Sequence, residues 1–232
     1  DRFTPAAVRK RVLVVGAGGL GAPAILYLAA AGVGVLGIVD DDEVSLSNLQ
    51  RQVIHRMDGI GTPKVESAAS VVAAINPNVD VRLHNTRLTA ANAAGIIGDY
   101  DIVLDGTDNF DARYLVNEVC VANGVTLVAA AIAQWEGQIS VYAPDGPCYA
   151  CVFPDRPADG LVPSCAEAGV MGPMAGTVGC MMATEAIKVI TGAGRPLVGR
   201  LMIYDALDAS ARVFETSRNP ACPVCRGGLC PG

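Results

Sequence analysis

Gly16, Gly18, Gly19 and Gly21 form the cluster GAGGLG directly after a short apolar run and before a helix-forming stretch. Glycines so spaced let backbone amides approach an anion, and the unpaired N–H groups at a helix start can hold a phosphate. The alternative is a tight turn with no ligand. Asp40 ends the next apolar run, where a carboxylate meets the hydroxyl pair of a ribose. Those features suit a nucleotide of either of two kinds, a dinucleotide or a mononucleotide.

The residues after Asp40 bear on that choice. The segment DDDEVSLSNLQRQ sets Asn48, Arg51 and Gln52 just beyond the ribose carboxylate, and Lys64 follows behind Pro63. Arginine grips phosphate oxygens with two parallel donors and lysine adds a compact charge, so two cations beside a phosphate cradle suit a triphosphate such as ATP. For either cation alone, a solvated helix residue is the simpler reading. Asp108 and Asn109 follow the run ending at Leu104, at the sheet edge where open sheets bind ligands. Asp108 facing a triphosphate is a natural Mg²⁺ ligand, and it also stands where a helix N-cap belongs. A hydride-transferring enzyme would need a proton donor beside its nicotinamide. The chain has no Tyr with Lys four residues on, and its histidines are His55 and His84. His84 reads as a strand residue and His55 as a surface or packing residue.

Eight cysteines include two CxxC pairs, Cys148 with Cys151 and Cys222 with Cys225. Four thiolates in two such pairs suit a tetrahedral, structural zinc site, provided the fold brings the pairs together. Two redox dithiols are the competing reading. Cys165 stands alone in a proline-interrupted stretch, as either a reactive or an idle thiol. Cys120 and Cys180 fall in apolar helical stretches as packing residues.

Positioning these groups requires alternating elements. Strands are expected at 11–15, 33–39, 79–83, 102–104 and 126–131, and helices at 22–31, 63–75, 90–97 and 112–122. That alternation predicts a Rossmann-like, doubly wound α/β fold with a mostly parallel sheet. Strands at 137–143 and 201–204, with a helix at 175–190, make the sheet mixed toward the C-terminus. The stretch 152–169 reads as a mobile crossover loop within one domain spanning 1–232.

Composition narrows the function classes. With 232 residues and about half of them apolar, the chain can bury one sizeable core. A formal charge of −6 gives no electrostatic support for nucleic-acid binding. The most apolar stretch is interrupted by glycines and ends in Asp40, short of the roughly 20 residues of a membrane helix. With no apolar signal core at the N-terminus, a cytoplasmic enzyme is expected.

Taken in order, VVGAGGLGAPAILYLAAAGVGVLGIVDDDEVSLSNLQRQ, GTPKVESA, LDGTDNFDAR, EGQIS, SCAEAGVMGP and the two CxxC pairs resemble the ubiquitin-activating-enzyme-like adenylyltransferases of the molybdopterin and thiamin pathways. The resemblance covers nearly the whole chain. It implies ATP-dependent adenylation of the C-terminal glycine of a small ubiquitin-like sulfur-carrier protein ending in Gly-Gly. Pyrophosphate is released, and sulfur later replaces AMP as a thiocarboxylate. In that family the positions matching Gly19, Asp40, Ser47, Asn48, Leu49, Gln50, Arg51, Lys64, Asp108 and Asn109 hold ATP. With Asp42 and the other glycines they make up the candidate nucleotide set, and Arg51, Lys64, Asp108 and the loop Cys165 the candidate catalytic set. The family's loop cysteine is linked to the carrier or takes sulfur in some members and is dispensable in others. The resemblance also implies a homodimer. The family's N-terminal RYxRQ-like arginine motif is unmatched here, with Arg2 and Arg9 standing nearest, and nothing after Cys225 resembles the rhodanese domain of some relatives, so either a separate sulfur donor or a domain outside this chain is expected. Adenylation of a peptide or small-molecule carboxylate, an NAD-dependent oxidoreductase and a silent scaffold are the competing functions.

Overall fold

The computed structural model describes residues 10–156 and 169–225. Arg2, Arg9, Cys165 and most of the stretch read as a crossover loop lie outside the described residues. One eight-stranded sheet runs through the molecule in the order β3-β2-β1-β4-β5-β6-β7-β8. Strands β1 (Arg11–Val15), β2 (Val35–Val39), β3 (Asp80–His84), β4 (Ile102–Asp105) and β5 (Thr126–Ala133) are parallel. Strands β6 (Glu136–Tyr142), β7 (Arg200–Asp205) and β8 (Ser210–Glu215) continue the sheet antiparallel. The expected change from parallel to mixed pairing therefore falls at the β5–β6 turn.

Parallel neighbours need crossovers, and helices supply them. They are α1 (Gly21–Ala30), α2 (Lys64–Ile75), α3 (Ala93–Ile97) and α4 (Phe110–Asn123). A longer connection between β6 and β7 holds the short α5 (Tyr149–Val152) and the long α6 (Gly172–Thr191). Alternate residues of β1 enter two different cores. Val12 and Val14 pack with α1, α2 and α6, whereas Leu13 and Val15 pack with α3, α4 and α5. Burial on both faces explains why the parallel strands read as unbroken apolar runs.

Chain direction across the sheet reverses between β1 and β4. Strands β2 and β3 were laid down on one side of β1, and β4 returns to the other. Loops leaving neighbouring strand ends at such a reversal diverge and open a crevice. The glycine cluster leaves β1 at that crevice, and the segment containing Asp108 leaves β4 beside it.

Several boundaries differ from expectation for local reasons. Helix α3 begins at Ala93, because Asn92 accepts from the N–H of Thr89 at 2.8 Å and closes a turn first. Helix α4 begins at Phe110, capped by the Asn109 side chain, which accepts from the N–H of Ala112 at 2.8 Å. The cap is thus Asn109 and not Asp108. Strand β8 was not anticipated; all six of its residues are exposed, so burial leaves no mark on its sequence. Among the described residues no helix is long and apolar enough to cross a membrane.

Helix α6 lies close against α1 because Gly179 has no side chain. A Cβ there would overlap the Leu20 carbonyl and the Pro23 ring. Gly179→Ala should force the helices apart and lower the unfolding free energy in urea by about 2 kcal/mol. An unchanged unfolding midpoint would show that the helices shift apart without penalty.

Candidate active site

The turn after β1 is built on close backbone approach. The Gly16 N–H donates to the Val39 carbonyl at 2.8 Å and the Gly106 N–H to the Val15 carbonyl at 3.0 Å, so the exits of β1, β2 and β4 are tied together. Gly16 has φ of 91°, which favours glycine. A Cβ on Gly21 would overlap the Gly16 carbonyl, so the turn folds directly onto the first residue of α1. Among the described residues, no acceptor takes the N–H groups of Gly18, Gly19 or Leu20. These unpaired donors at a helix start form a ready anion cradle.

Asp40 holds that cradle from the side. One carboxylate oxygen accepts from the Ala17 N–H at 2.7 Å and the other from the Asp42 N–H at 2.9 Å. Lys64, the first residue of α2, is 5% exposed, which excludes the solvated-helix reading for it. Its Nζ donates to Asp42 at 2.7 Å and lies 4.0 Å from Asp40. An ammonium has three donors, so this pairing leaves others for a ligand. Burial pushes the Asp40 carboxyl up from its ordinary range, while Lys64 and the two N–H donors pull against it.

Arg51 reaches the cradle from the other side. After a single 3₁₀ turn at Leu46–Asn48, its N–H and that of Gln52 both donate to the Asn48 carbonyl. The Arg51 side chain lies over Gly19, where a Cβ would stand 3.7 Å from its Cγ, and its Nη1 donates to the Ser47 carbonyl at 3.1 Å. Gln52 is buried beside Gly18, with its Oε1 unpartnered. The structure does not bring Leu49 and Gln50 to the glycine turn: Leu49 closes the 3₁₀ turn, and Gln50 packs against Gly172 at the start of α6. The Ser47 hydroxyl pairs with Ser45 at 3.1 Å.

On the β4 side, Asp105 is fully buried and accepts from the N–H and hydroxyl of Thr107 at 2.9 and 2.7 Å. Buried Arg113 sits 3.8 Å from its other oxygen and donates to the Thr107 carbonyl at 2.8 Å. Burial raises the Asp105 carboxyl above its ordinary range, with Arg113 and Thr107 opposing. This framework holds the loop on which Asp108 stands exposed. No described residue bonds to the Asp108 carboxylate, which leaves its oxygens for a cation. Asn109 keeps only its amide N–H₂ free of the cap.

Sequence reasoning missed the part played by His55. It is 6% exposed, so it is not a surface residue. Its Nε2 meets the Ala17 carbonyl at 2.9 Å, and its Nδ1 meets the Ser67 hydroxyl at 2.9 Å. The only sequence signal is a histidine and a serine flanking the lysine segment, with no motif of its own.

Away from the crevice, Cys148, Cys151, Cys222 and Cys225 converge, with their four sulfurs all within 4.8 Å of one another. The closest pairs are 3.3, 3.6 and 3.8 Å apart. A tetrahedron of thiolates about 2.3 Å from zinc has edges of about 3.8 Å, so the set fits that ion. Without a cation, burial pushes the Cys148 and Cys151 thiols up. For Cys222, burial also pushes up, but the N–H groups of Cys225 and Val224 and the neighbouring thiols bring it below its ordinary value. Cys120 is buried in α4 and Cys180 half-buried in α6, in keeping with packing roles.

The chain is similar to known proteins along nearly its whole length. The chain is 53% identical over 218 residues to the SAMP-activating enzyme E1 of Haloferax volcanii, covering 94% of this chain and 81% of the relative. It is 50% identical over 223 residues to the sulfur carrier protein adenylyltransferase of Thermus thermophilus, covering 94% and 82%. Among solved structures, Escherichia coli MccB with ATP superposes with a TM-score of 0.86 at 20% identity, over 96% of this chain and 69% of that one, a likeness of fold. The family profile described as ThiF matches residues 4–224, and the chain belongs to the ThiF family.

Proposed function

We propose that the chain is an adenylyltransferase that activates the C-terminal carboxylate of a small ubiquitin-like sulfur-carrier protein ending in Gly-Gly. The observation carrying this reading is the convergence of unpaired Gly18, Gly19 and Leu20 N–H groups, Arg51 and buried Lys64 on one crevice, with an unengaged Asp108 on the adjoining strand exit. Two relatives at 50% identity or more are named as a SAMP-activating enzyme and a sulfur carrier protein adenylyltransferase, which supports a protein carboxylate as the second substrate.

The chemistry asks for little proton transfer. A carboxylate oxygen bonds to the α-phosphorus of ATP while the bond to the bridging oxygen breaks, and pyrophosphate leaves with that electron pair. Positioning and charge stabilisation then carry the rate. In our reading Asp40 meets the ribose, the glycine-turn amides hold phosphate oxygens, and Arg51 and Lys64 offset negative charge on the α-phosphate and the leaving group. Mg²⁺ on Asp108 would neutralise charge on the leaving phosphates. The four-thiolate cluster would hold Zn²⁺ with every position filled, a structural role. We read the chain as one adenylating domain that acts as a homodimer with a separate sulfur donor.

Exchange of pyrophosphate into ATP should require a Gly-Gly carrier, and Asp108→Ala should reduce it by about 100-fold or more. Exchange without a carrier, or with a free small acid alone, overturns the substrate assignment. Stabilisation by NAD and not by MgATP in thermal unfolding would replace activation with hydride transfer.

The purified chain should contain about one equivalent of zinc, and Cys151→Ser should lower its unfolding midpoint by at least about 5 °C. A zinc-free chain of unchanged stability would return the cysteines to the dithiol reading.

A further inference from the structure

The peptide between Ala17 and Gly18 can turn over within the anion cradle unless something holds it. Rotating it changes ψ of residue 17 and φ of residue 18, and glycine at position 18 tolerates either sign of φ. A flipped peptide would aim the Ala17 carbonyl, and not the Gly18 N–H, into the crevice. An anion would then meet an acceptor where it needs a donor. Something outside the turn has to fix this peptide.

Asp40 fixes its neighbour, the peptide between Gly16 and Ala17, by accepting from the Ala17 N–H at 2.7 Å. His55 is the group on the Ala17–Gly18 peptide, with Nε2 at 2.9 Å from the Ala17 carbonyl. Gly21, at the start of α1, makes no bond to that carbonyl, so the imidazole is its described partner. In a trans peptide the C=O and the following N–H point in opposite directions. A donor drawing the carbonyl toward the imidazole therefore aims the Gly18 N–H away from it. No described group accepts that N–H.

The tautomer follows from the partners. A carbonyl only accepts, so Nε2 carries the proton, and Nδ1 accepts from the Ser67 hydroxyl at 2.9 Å. With the opposite tautomer two lone pairs would face each other at Ala17. The Ala17 carbonyl thus fixes the proton on Nε2, and the Ser67 hydroxyl on α2, able to donate, satisfies Nδ1 and holds the ring in place. We infer that His55, its ring held by Ser67, is a positioning residue that latches the Ala17–Gly18 peptide and aims the Gly18 N–H at the nucleotide phosphates. This rests on the nucleotide reading of the crevice.

The charge around the ring agrees. Lys64 on α2 and Asp40 at the end of β2 face it, with Asp42 held on Lys64, while the adjoining loop offers the Gln52 carbonyl to the His55 N–H. Burial lowers the His55 pKa from 6.5; the Ala17 bond and Asp40 raise it and Lys64 lowers it, with a net decrease. The folded state therefore resists protonation. Stability from the neutral ring is fully present above pH 6.5 and is lost as the pH falls through the lower folded value.

Calorimetric titration of the intact chain with MgATP, without carrier, tests the latch. His55→Leu should weaken MgATP binding about tenfold or more, whereas His55→Gln, which keeps a donor near the Nε2 position, should stay within about threefold of wild type. Ser67→Ala places a good helix former at a half-buried site and should fold. It should weaken binding about threefold, because the ring loses the bond that holds it against the Ala17 carbonyl. The wild type should lose more stability than His55→Gln as the pH falls below 6.5. If wild type fails to bind MgATP, the functional reading falls first. If wild type binds and His55→Leu binds within twofold, the latch is wrong. Should His55→Leu not fold, Ser67→Ala with unaltered affinity overturns it equally.

Discussion

The carboxylate of Asp40 joins the ends of β1 and β2, and the crevice exists in usable form because it does. It ends one strand, accepts from the turn leaving the other, and lies near the ammonium that opens α2. Removing a carboxylate from water costs several kcal/mol, and each hydrogen bond to a charged group returns about 1.5–3 kcal/mol. Two backbone donors and a nearby lysine thus offset the burial without a large surplus. Asp105 repeats the device at the end of β4. Each aspartate accepts from the N–H two residues ahead, Asp42 in one case and Thr107 in the other, and so bends the chain sharply as it leaves the sheet. The two bends flank β1. One delivers Asp42 toward Lys64, and the other leads to the exposed Asp108.

This frame explains which residues the sequence disclosed. Strands β1, β2 and β4 were visible because both of their faces are buried, and Asp40 because a charge closing an apolar run is unusual. Lys64 was visible only as a cation near a glycine turn; its burial depends on α2 packing Val65, Ala68 and Val72 into the core beside it. His55 was hidden for a different reason. Its partner is a main-chain carbonyl 38 residues earlier, and a carbonyl has no residue type to recognise. The cap of α4 was ambiguous, since Asp108 and Asn109 are both good caps, and geometry alone gave the role to Asn109. That outcome matters chemically, because a capping Asp108 would have spent an oxygen on the helix.

The cysteine cluster, although outside the crevice, is joined to it by continuous packing. Cys148 precedes α5 and Cys151 lies within it, and the Tyr149 N–H at its start donates to the Asn117 side chain on α4 at 2.8 Å. The Tyr149 ring packs edge-on against Tyr114 and Tyr142, and the Arg113 guanidinium lies 6.0 Å from its centre. Arg113 in turn supports the Thr107 carbonyl and the buried Asp105. Each link is a packed or hydrogen-bonded contact between side chains with little room to move. A cation gripping the four sulfurs would tie α5 to the segment carrying Cys222 and Cys225, while Tyr149 and Arg113 join α5 to the bend that carries Asp108. In the proposed reading, a metal remote from the chemistry would steady the bend that carries Asp108, and it would do so only while the Tyr149–Arg113 packing stays intact.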